Sequence, residues 1–157
     1  MLDQLDLERS IDKHEYKTRL NTFQNRMYDL QQALFDAHRP VVIVFEGWAG
    51  TSKVSIIRQL TNRLDPRMLR VYPITPPRTY ETMYPWLYRF WQKIPSYGQM
   101  ALFDRSWYRQ VLAARTSNKT ATAEWRSLCE DIVAFERQLA DDGAIILKFW
   151  LHISQKE

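Results

Sequence analysis

The sequence predicts a three-layer α/β domain in which helices cover both faces of a parallel β-sheet. Wholly apolar runs, such as residues 41–45, are typical of parallel strands that are buried on both faces. These runs alternate with segments whose apolar residues recur every three or four positions, as in amphipathic helices. Such alternation implies parallel strands joined by right-handed crossovers. The length of 157 residues, 45% of them apolar, suits a single core.

The first predicted element is an amphipathic helix over about residues 12–37, and Pro40 ends it. Its apolar residues recur at helical spacing with charged residues between them, so we expect them to face the core. They are Tyr16, Leu20, Phe23, Met27, Leu30 and Leu34. We therefore divide the chain into a helical segment, 1–39, and a core, 40–157, on which it packs. We expect both to belong to one domain of a longer protein.

Four strands and three more helices follow the first helix. The strands are predicted at 41–45, 69–74, 100–103 and 144–153, with the first strand central. One helix contains the stripe Ile56, Ile57, Leu60 and Leu64, and the others are predicted at 84–92 and 124–140. Asp65 and Pro66 form the turn that ends the first of these helices, and Gly143 ends the last.

The composition excludes several classes of protein. No run approaches the ~18 apolar residues that span a bilayer, and the N-terminus lacks the basic-then-apolar order of a secretory signal. We therefore expect a cytoplasmic protein without a membrane partner. The single Cys129 excludes an internal disulfide and a cysteine-based zinc site, and we interpret it as a packing residue. The three scattered histidines, His14, His38 and His152, are interpreted as surface or packing residues.

The net charge of +4 is compatible with a polyanionic partner, although it is also common on ordinary surfaces. We predict no nucleic acid among the partners. A dehydrogenase is disfavoured because the chain lacks glycines in the GxGxxG spacing that binds dinucleotides.

A turn that contains two glycines follows the first predicted strand. At this place in a parallel sheet the next helix offers unpaired N–H groups and the positive end of its dipole to phosphate. Residues 47–54, GWAGTSKV, partly match the Walker A pattern, because Ser52 replaces the second glycine and Val54 replaces the magnesium-binding hydroxyl. The predicted phosphate-binding residues of this turn are Gly47, Gly50, Thr51, Ser52 and Lys53. The alternative is a plain turn between a strand and a helix.

A second candidate lies at the end of the third predicted strand, where Asp104 and Arg105 follow an apolar run. An acidic residue at the carboxyl end of such a strand is the Walker B arrangement, which can hold magnesium or its water shell. The neighbouring Arg105 can contact phosphate oxygens. The alternative is a surface turn in which Asp104 caps a helix.

Several segments together resemble the second family of polyphosphate kinases, which are polyphosphate-dependent nucleotide phosphotransferases. The matching segments are FEGW with Lys53, LTNRLDPR, PWLYRFWQKIP, FDRSWY, EW and FERQLADDGAIILKFWLHIS. The resemblance implies a P-loop kinase fold that moves a phosphoryl group, with Mg²⁺, between inorganic polyphosphate and a nucleotide, AMP or ADP. It assigns Asp104 and Arg105 to catalysis, Asp104 to the metal, and Arg115 to phosphate.

The chain also departs from the family pattern. A magnesium-binding aspartate of the family is replaced by Ala49, and the glycines after the lysine are replaced by Val54 and Ser55. Where the family has a small residue and then arginine after FDRSWY, this chain has Arg109 and Gln110, and Ala114 replaces a glutamate.

With these departures the chain resembles the degenerate N-terminal copy found in family members that have two kinase domains. The family places a lid and one more strand after the fourth strand, and we expect both to be absent from this sequence. We therefore expect weak activity or none from this copy alone, and a second kinase domain or a homo-oligomer as its partner. Two alternatives are a non-catalytic scaffold that pairs with a catalytic copy, and an active domain that recruits its metal through Asp104 alone.

Overall fold

The computed structural model describes residue 6, residues 10–116 and residues 122–153, and these residues form an α/β fold. Its four strands are β1 (Val41–Gly47), β2 (Leu69–Pro73), β3 (Met100–Asp104) and β4 (Ile145–Leu151). Its five helices are α1 (Lys13–Asp36), α2 (Lys53–Thr61), α3 (Tyr88–Trp91), α4 (Tyr108–Thr116) and α5 (Thr122–Asp141). The predicted segments 1–39 and 40–157 extend at both ends beyond the described residues.

All neighbouring strands of the sheet are parallel, and their order is β2-β3-β1-β4. The first strand lies between β3 and β4, so the predictions of a parallel sheet and of an internal first strand are confirmed. Phe45 pairs in register with Asp104 on one side and with Phe149 on the other. The carboxyl ends of β1 and β3 therefore lie side by side, and the loops after them share one edge of the sheet.

Helices cover both faces of this sheet, which confirms the three-layer prediction. On one face, Val42, Val44 and Phe103 pack against Ile132 and Phe135 of α5. The second face carries its own cluster, in which residues of α1 and α2 meet the strands: Val41, Ile43, Phe45, Leu102, Met27, Leu34, Ile57 and Leu64. Full burial of a large apolar side chain contributes about 1.5–3 kcal/mol, so these two clusters are the main source of the fold's stability.

The first helix packs on the core with a different face from the predicted one. Half of the predicted stripe is exposed, since Tyr16, Phe23 and Leu30 keep 41%, 59% and 48% of their surface in solvent. Gln24 and Gln31 are buried in their place. Their amides satisfy backbone groups at the end of α2 and in the turn after it. Gln24 Nε2 donates to Gln59 O at 2.7 Å, and Gln31 bonds both N and O of Asp65.

The predicted helix 84–92 is wrong in its first half. Tyr84 has an extended backbone (φ −120°, ψ 160°), because the ring of Pro85 disfavours a helical conformation in the residue before it. Only Tyr88–Trp91 is α-helical, after a separate 3₁₀ turn at Glu81–Met83. Helix α4 was not predicted at all.

No helix within the described residues has both the length and the apolar character needed to cross a membrane.

Candidate functional site

A cleft of about 430 Å³ lies at the carboxyl edge of the sheet, between the loop after β1 and the end of β3. This is where parallel α/β sheets bind ligands, because the loops there diverge and the helix N-termini point inwards. The residues that line the cleft are Gly50, Thr51, Lys53, Val54, Pro73, Ile74, Thr75, Pro76, Asp104, Arg105 and Arg109. Predicted candidates from two separate sequence motifs therefore meet in one place.

The loop between β1 and α2 owes its path to two glycines with positive φ, Gly47 at +144° and Gly50 at +88°. A Cβ at Gly47 would overlap the carbonyl oxygen of Leu151 in the adjacent strand, so only glycine fits there. At Gly50 no atom lies within 4 Å of such a Cβ, and only the backbone conformation favours glycine. Ser52, the N-cap of α2, makes no side-chain hydrogen bond to the first turn of the helix. Its side chain therefore satisfies none of the backbone N–H groups there.

Lys53 is buried, and its ammonium group lies against the loop that precedes it. Its Nζ donates to the carbonyl oxygen of Trp48 at 2.7 Å, to Thr51 Oγ1 at 2.6 Å, and more weakly to the carbonyl oxygen of Gly47 at 3.3 Å. Burial lowers the pKa of Lys53 and so does Arg105, whereas Asp104 and Glu46 raise it. Asp104 and Arg105 line the same cleft as the lysine, whereas Glu46 does not.

Asp104 and Arg105 form the opposite side of the cleft at the end of β3. The backbone of Arg105 has φ +65°, a conformation that L-residues adopt rarely, and its N–H donates to Phe45 O at 2.9 Å. The carbonyl of Asp104 accepts from Ile74 N at 3.0 Å. These bonds tie the end of β3 to β1 and to the residue after β2, so the backbone of both residues is fixed beside the cleft. Backbone strain of this kind is common at functional sites.

A buried carboxylate beneath the cleft was missed by sequence reasoning. Glu46, the residue before Gly47, is 8% exposed and accepts a hydrogen bond from Ser106 Oγ at 2.7 Å. Burial raises the pKa of Glu46, while the bonds from Ser106 and the charges of Arg105 and Lys53 oppose that rise. No local pattern predicts this contact, because its partners are 60 residues apart in the chain.

The tryptophan and tyrosine of FDRSWY anchor α4 to the rest of the fold. Trp107 Nε1 and the Tyr108 hydroxyl both donate to Glu136 Oε1 of α5, at 3.1 Å and 2.6 Å. Lys148 of β4 donates to Glu136 Oε2 at 2.9 Å and to the Tyr108 hydroxyl at 3.1 Å. This network joins α5 and β4 to the start of α4, the segment that follows Asp104 and Arg105.

Arg115 lies apart from the other predicted site residues. It is on α4, and its guanidinium carbon is 5.0 Å from the ring centroid of Trp125 in α5. It is not among the residues that line the cleft. Its predicted contact with phosphate therefore stays a prediction. Arg109, six residues earlier on the same helix, does line the cleft, although it was not among the predicted site residues.

A second cavity of about 460 Å³ adjoins the cleft and shares four of its residues, Ile74, Thr75, Pro76 and Arg109. Aromatic side chains form much of its remaining wall: Tyr84, Trp86, Phe90 and Trp107. Glu81 and Arg89 also line it and pair at 3.2 Å, and Arg89 Nη2 donates to Thr75 O at 3.1 Å. The cavity therefore combines flat apolar walls with polar groups whose positions are fixed.

The described residues contain no cluster of three or more histidine, cysteine, aspartate or glutamate side chains that would hold a metal alone. Asp104 is the carboxylate residue that lines the cleft, and Ala49 offers no ligand. Magnesium is commonly held by one or two carboxylates together with phosphate oxygens and water. The residues present therefore fit a magnesium ion that arrives with a phosphate chain.

His152 contacts the loop between β1 and α2. Its Nδ1 accepts a hydrogen bond from the indole N–H of Trp48 at 3.0 Å, and Trp48 also makes an edge contact with Trp150. This contact agrees with its interpretation as a packing residue. It also secures the residue after Gly47 to the end of β4.

The sheet order, the loop before α2 and the cleft beside Asp104 define an α/β domain of the P-loop kinase-like class. The polyphosphate kinase 2 family model matches residues 10–157, and the chain belongs to this family. It is 40% identical over 156 residues to a polyphosphate:AMP phosphotransferase of Pseudomonas aeruginosa, covering 99% of this chain and 32% of the relative. It is 33% identical over 139 residues to an AMP/ADP-polyphosphate phosphotransferase of Meiothermus ruber, covering 88% of this chain and 52% of that relative.

A solved structure leads to the same family. The crystal structure of polyphosphate kinase 2 from Arthrobacter aurescens TC1 superposes with a TM-score of 0.93 and with 25% sequence identity. The match covers 99% of this chain and 58% of that one. Among the curated relatives, the chain spans about a third of the length of the first ones that it matches.

Proposed function

We propose that this domain binds the phosphate chain of inorganic polyphosphate in the cleft, as part of a phosphotransferase that acts on AMP or ADP. The observation that carries the proposal is the meeting of Lys53, Asp104 and Arg105 in a cleft at the start of α2. The backbone N–H groups of the loop and the positive end of α2 favour an anion there. Two arginines, Arg105 and Arg109, add positive charge on the other side.

Magnesium would be held by Asp104 and by phosphate oxygens of the bound chain. When bound, it neutralises the charge on the phosphoryl oxygens and makes the phosphorus easier to attack. The chain's own groups then position the phosphate: Lys53 and the loop N–H groups from one side, Arg105 from the other. Positioning and electrostatic stabilisation account for most of the catalysis of phosphoryl transfer, so these groups are the ones on which activity depends.

The second cavity is the proposed site of the acceptor nucleoside. A volume of about 460 Å³ falls in the range of small-molecule sites. Its walls include Tyr84 and Trp86, whose rings offer stacking surfaces to a purine. An acceptor seated there would direct its phosphate towards Arg109 and the cleft. This arrangement agrees with the names of the relatives, which are phosphotransferases of AMP or of ADP.

We further propose that this copy transfers phosphate weakly or not at all by itself. Ala49 removes a carboxylate next to the cleft, and Val54, a residue that is 70% exposed, occupies the cleft wall where the family has glycine. Lys53 must also exchange hydrogen bonds with the loop for bonds with phosphate. The scaffold alternative follows if the cleft binds no anion, and a second kinase domain or a second copy is the proposed partner in either case.

Nucleotide conversion tests the proposal directly. AMP and ADP are incubated with polyphosphate and excess Mg²⁺, with the 157-residue chain or its Ala49→Asp variant, and the products are separated by chromatography. We expect turnover well below the ~1–100 s⁻¹ usual for kinases in both proteins, because restoring one ligand leaves the other losses in place. Turnover in that range by either protein would show that the domain is an active kinase and not a degenerate one. A full-length relative with known activity serves as the positive control.

A further inference from the structure

Arg109 occupies the boundary between the phosphate cleft and the aromatic cavity. Four residues line both spaces, and three of them, Ile74, Thr75 and Pro76, belong to the segment after β2. The fourth, Arg109, enters from the first turn of α4 and is the charged residue among them. A ligand that extends from one space into the other would therefore lie beside Arg109.

The guanidinium of Arg109 is placed by one weak bond and is otherwise available. Its Nη1 donates to Ile74 O at 3.3 Å, and its backbone N–H donates to Ser106 O at 3.2 Å. No salt bridge involves Arg109 among the residues that the structure describes. An arginine has five N–H donors, so most of its donors can turn towards a ligand.

Arg89 on the wall of the same cavity behaves differently. It pairs with Glu81 at 3.2 Å, and its Nη2 is engaged by Thr75 O at 3.1 Å. Both side chains of this ion pair are largely buried. Arg89 therefore holds the segment after β2 in place, whereas Arg109 retains the capacity to bind an anion. Gln110, the next residue on α4, lines the aromatic cavity and not the cleft.

From this position we infer that Arg109 contacts the terminal phosphate of polyphosphate and the phosphate of the acceptor nucleotide together. The inference rests on the proposed function. Transfer forms a bond between an acceptor phosphate oxygen and the terminal phosphorus of polyphosphate, and it breaks the bond from that phosphorus to its bridging oxygen. The shortened polyphosphate leaves with the bonding electrons. Because donor and acceptor are both anions, a cation between them is needed to offset their repulsion, and the planar guanidinium can bond both.

The test is equilibrium binding to the 157-residue chain, with tripolyphosphate and AMP as the two probes. Arg109→Gln removes the charge and keeps the side chain polar, and Arg109→Lys keeps the charge but loses the two-sided donor geometry. Arg137→Gln is the matched control, because Arg137 is exposed on α5 and lines neither space. Lys53→Ala tests the contribution of the loop between β1 and α2 to tripolyphosphate binding. Thermal unfolding of each variant checks that the fold is intact.

We expect Arg109→Gln to weaken the binding of each probe by about tenfold, as for loss of one charge-assisted hydrogen bond. Arg137→Gln should change each affinity by less than about twofold. Saturating tripolyphosphate should also weaken AMP binding more in Arg109→Gln than in the parent chain, because the variant lacks the cation that contacts both ligands. Arg109→Lys should bind each probe when it is added alone. When both probes are present, it should bind AMP more weakly than the parent chain does.

The inference is wrong if Arg109→Gln matches Arg137→Gln for either probe, or if only one of the two affinities falls. In that case Lys53→Ala would still abolish tripolyphosphate binding, and the proposed function would stand. If the parent chain binds no tripolyphosphate, or if Lys53→Ala binds it as well as the parent does, the proposed function falls and this inference falls with it.

Discussion

Replacing Gly47 with alanine should destabilise the fold far more than the same change at Gly50. Both glycines have positive φ in the same loop, so alanine at either position is strained. At Gly47 the new methyl group would also overlap Leu151 O and come within 3.0 Å of Leu151 Cβ. The backbone strain costs about 1–3 kcal/mol and the overlap about as much again. The lower chain entropy of unfolded alanine returns about 0.4–1 kcal/mol.

The expected loss is therefore about 1–5 kcal/mol for Gly47→Ala and about 0–2.5 kcal/mol for Gly50→Ala, so the overlap should separate the two variants by about 1–3 kcal/mol. The assay is urea unfolding followed by tryptophan fluorescence and by circular dichroism. With a slope of about 2 kcal/mol per molar urea, Gly47→Ala should lower the midpoint by on the order of 1 M or more. Equal midpoints for the two variants would refute the argument that the contact with Leu151 of β4 leaves no room for a side chain at position 47.

Two further predictions concern the buried Glu46 and the partly buried Glu136. Glu46→Gln should flatten the dependence of stability on pH. The folded-state pKa of Glu46 is raised above its usual 4.5, so the parent loses stability as pH rises from about 4.5 through that raised pKa, and the variant should not. A parallel decline in both proteins across that window would contradict this. Glu136→Gln should cost roughly 1–3 kcal/mol in urea unfolding, because it breaks the ion pair with Lys148 and weakens two other bonds, whereas the exposed control Glu130→Gln should cost less than about 0.5 kcal/mol.

The sequence could predict the sheet because burial on both faces restricts the residues of β1. Every residue of Val41–Phe45 is at most 3% exposed, and a run of this kind leaves few alternatives to a central parallel strand. The same reasoning predicts the loop before α2 and the end of β3, so the sequence indicates both Lys53 and Asp104, which line the same cleft.

The face of α1 could not be predicted in this way. Its apolar residues form two adjacent columns, and spacing alone does not say which column faces inwards. The choice depends on Gln24 and Gln31, whose partners Gln59 and Asp65 are 35 and 34 residues away. Local amphipathicity has no access to such contacts.

The remaining parts of the site depended on long-range contacts as well. The Glu46 bond to Ser106 spans 60 residues, and Arg109 reaches the cleft only because α4 starts beside Ile74. Arg115 was assigned through a resemblance, and its place over Trp125 depends on how α4 packs on α5. A sequence pattern identifies which residue types are present, whereas the fold decides which of them share a cavity.

Amide NMR of the chain during titration with tripolyphosphate tests the central claim most directly, because it reports where an anion binds. The account predicts that shifts concentrate at Gly50, Thr51, Ser52, Lys53 and Arg105, that they weaken as salt is added, and that Lys53→Ala removes most of them. Shifts scattered over exposed lysines and arginines, or shifts at the loop that persist unchanged in Lys53→Ala, would contradict it.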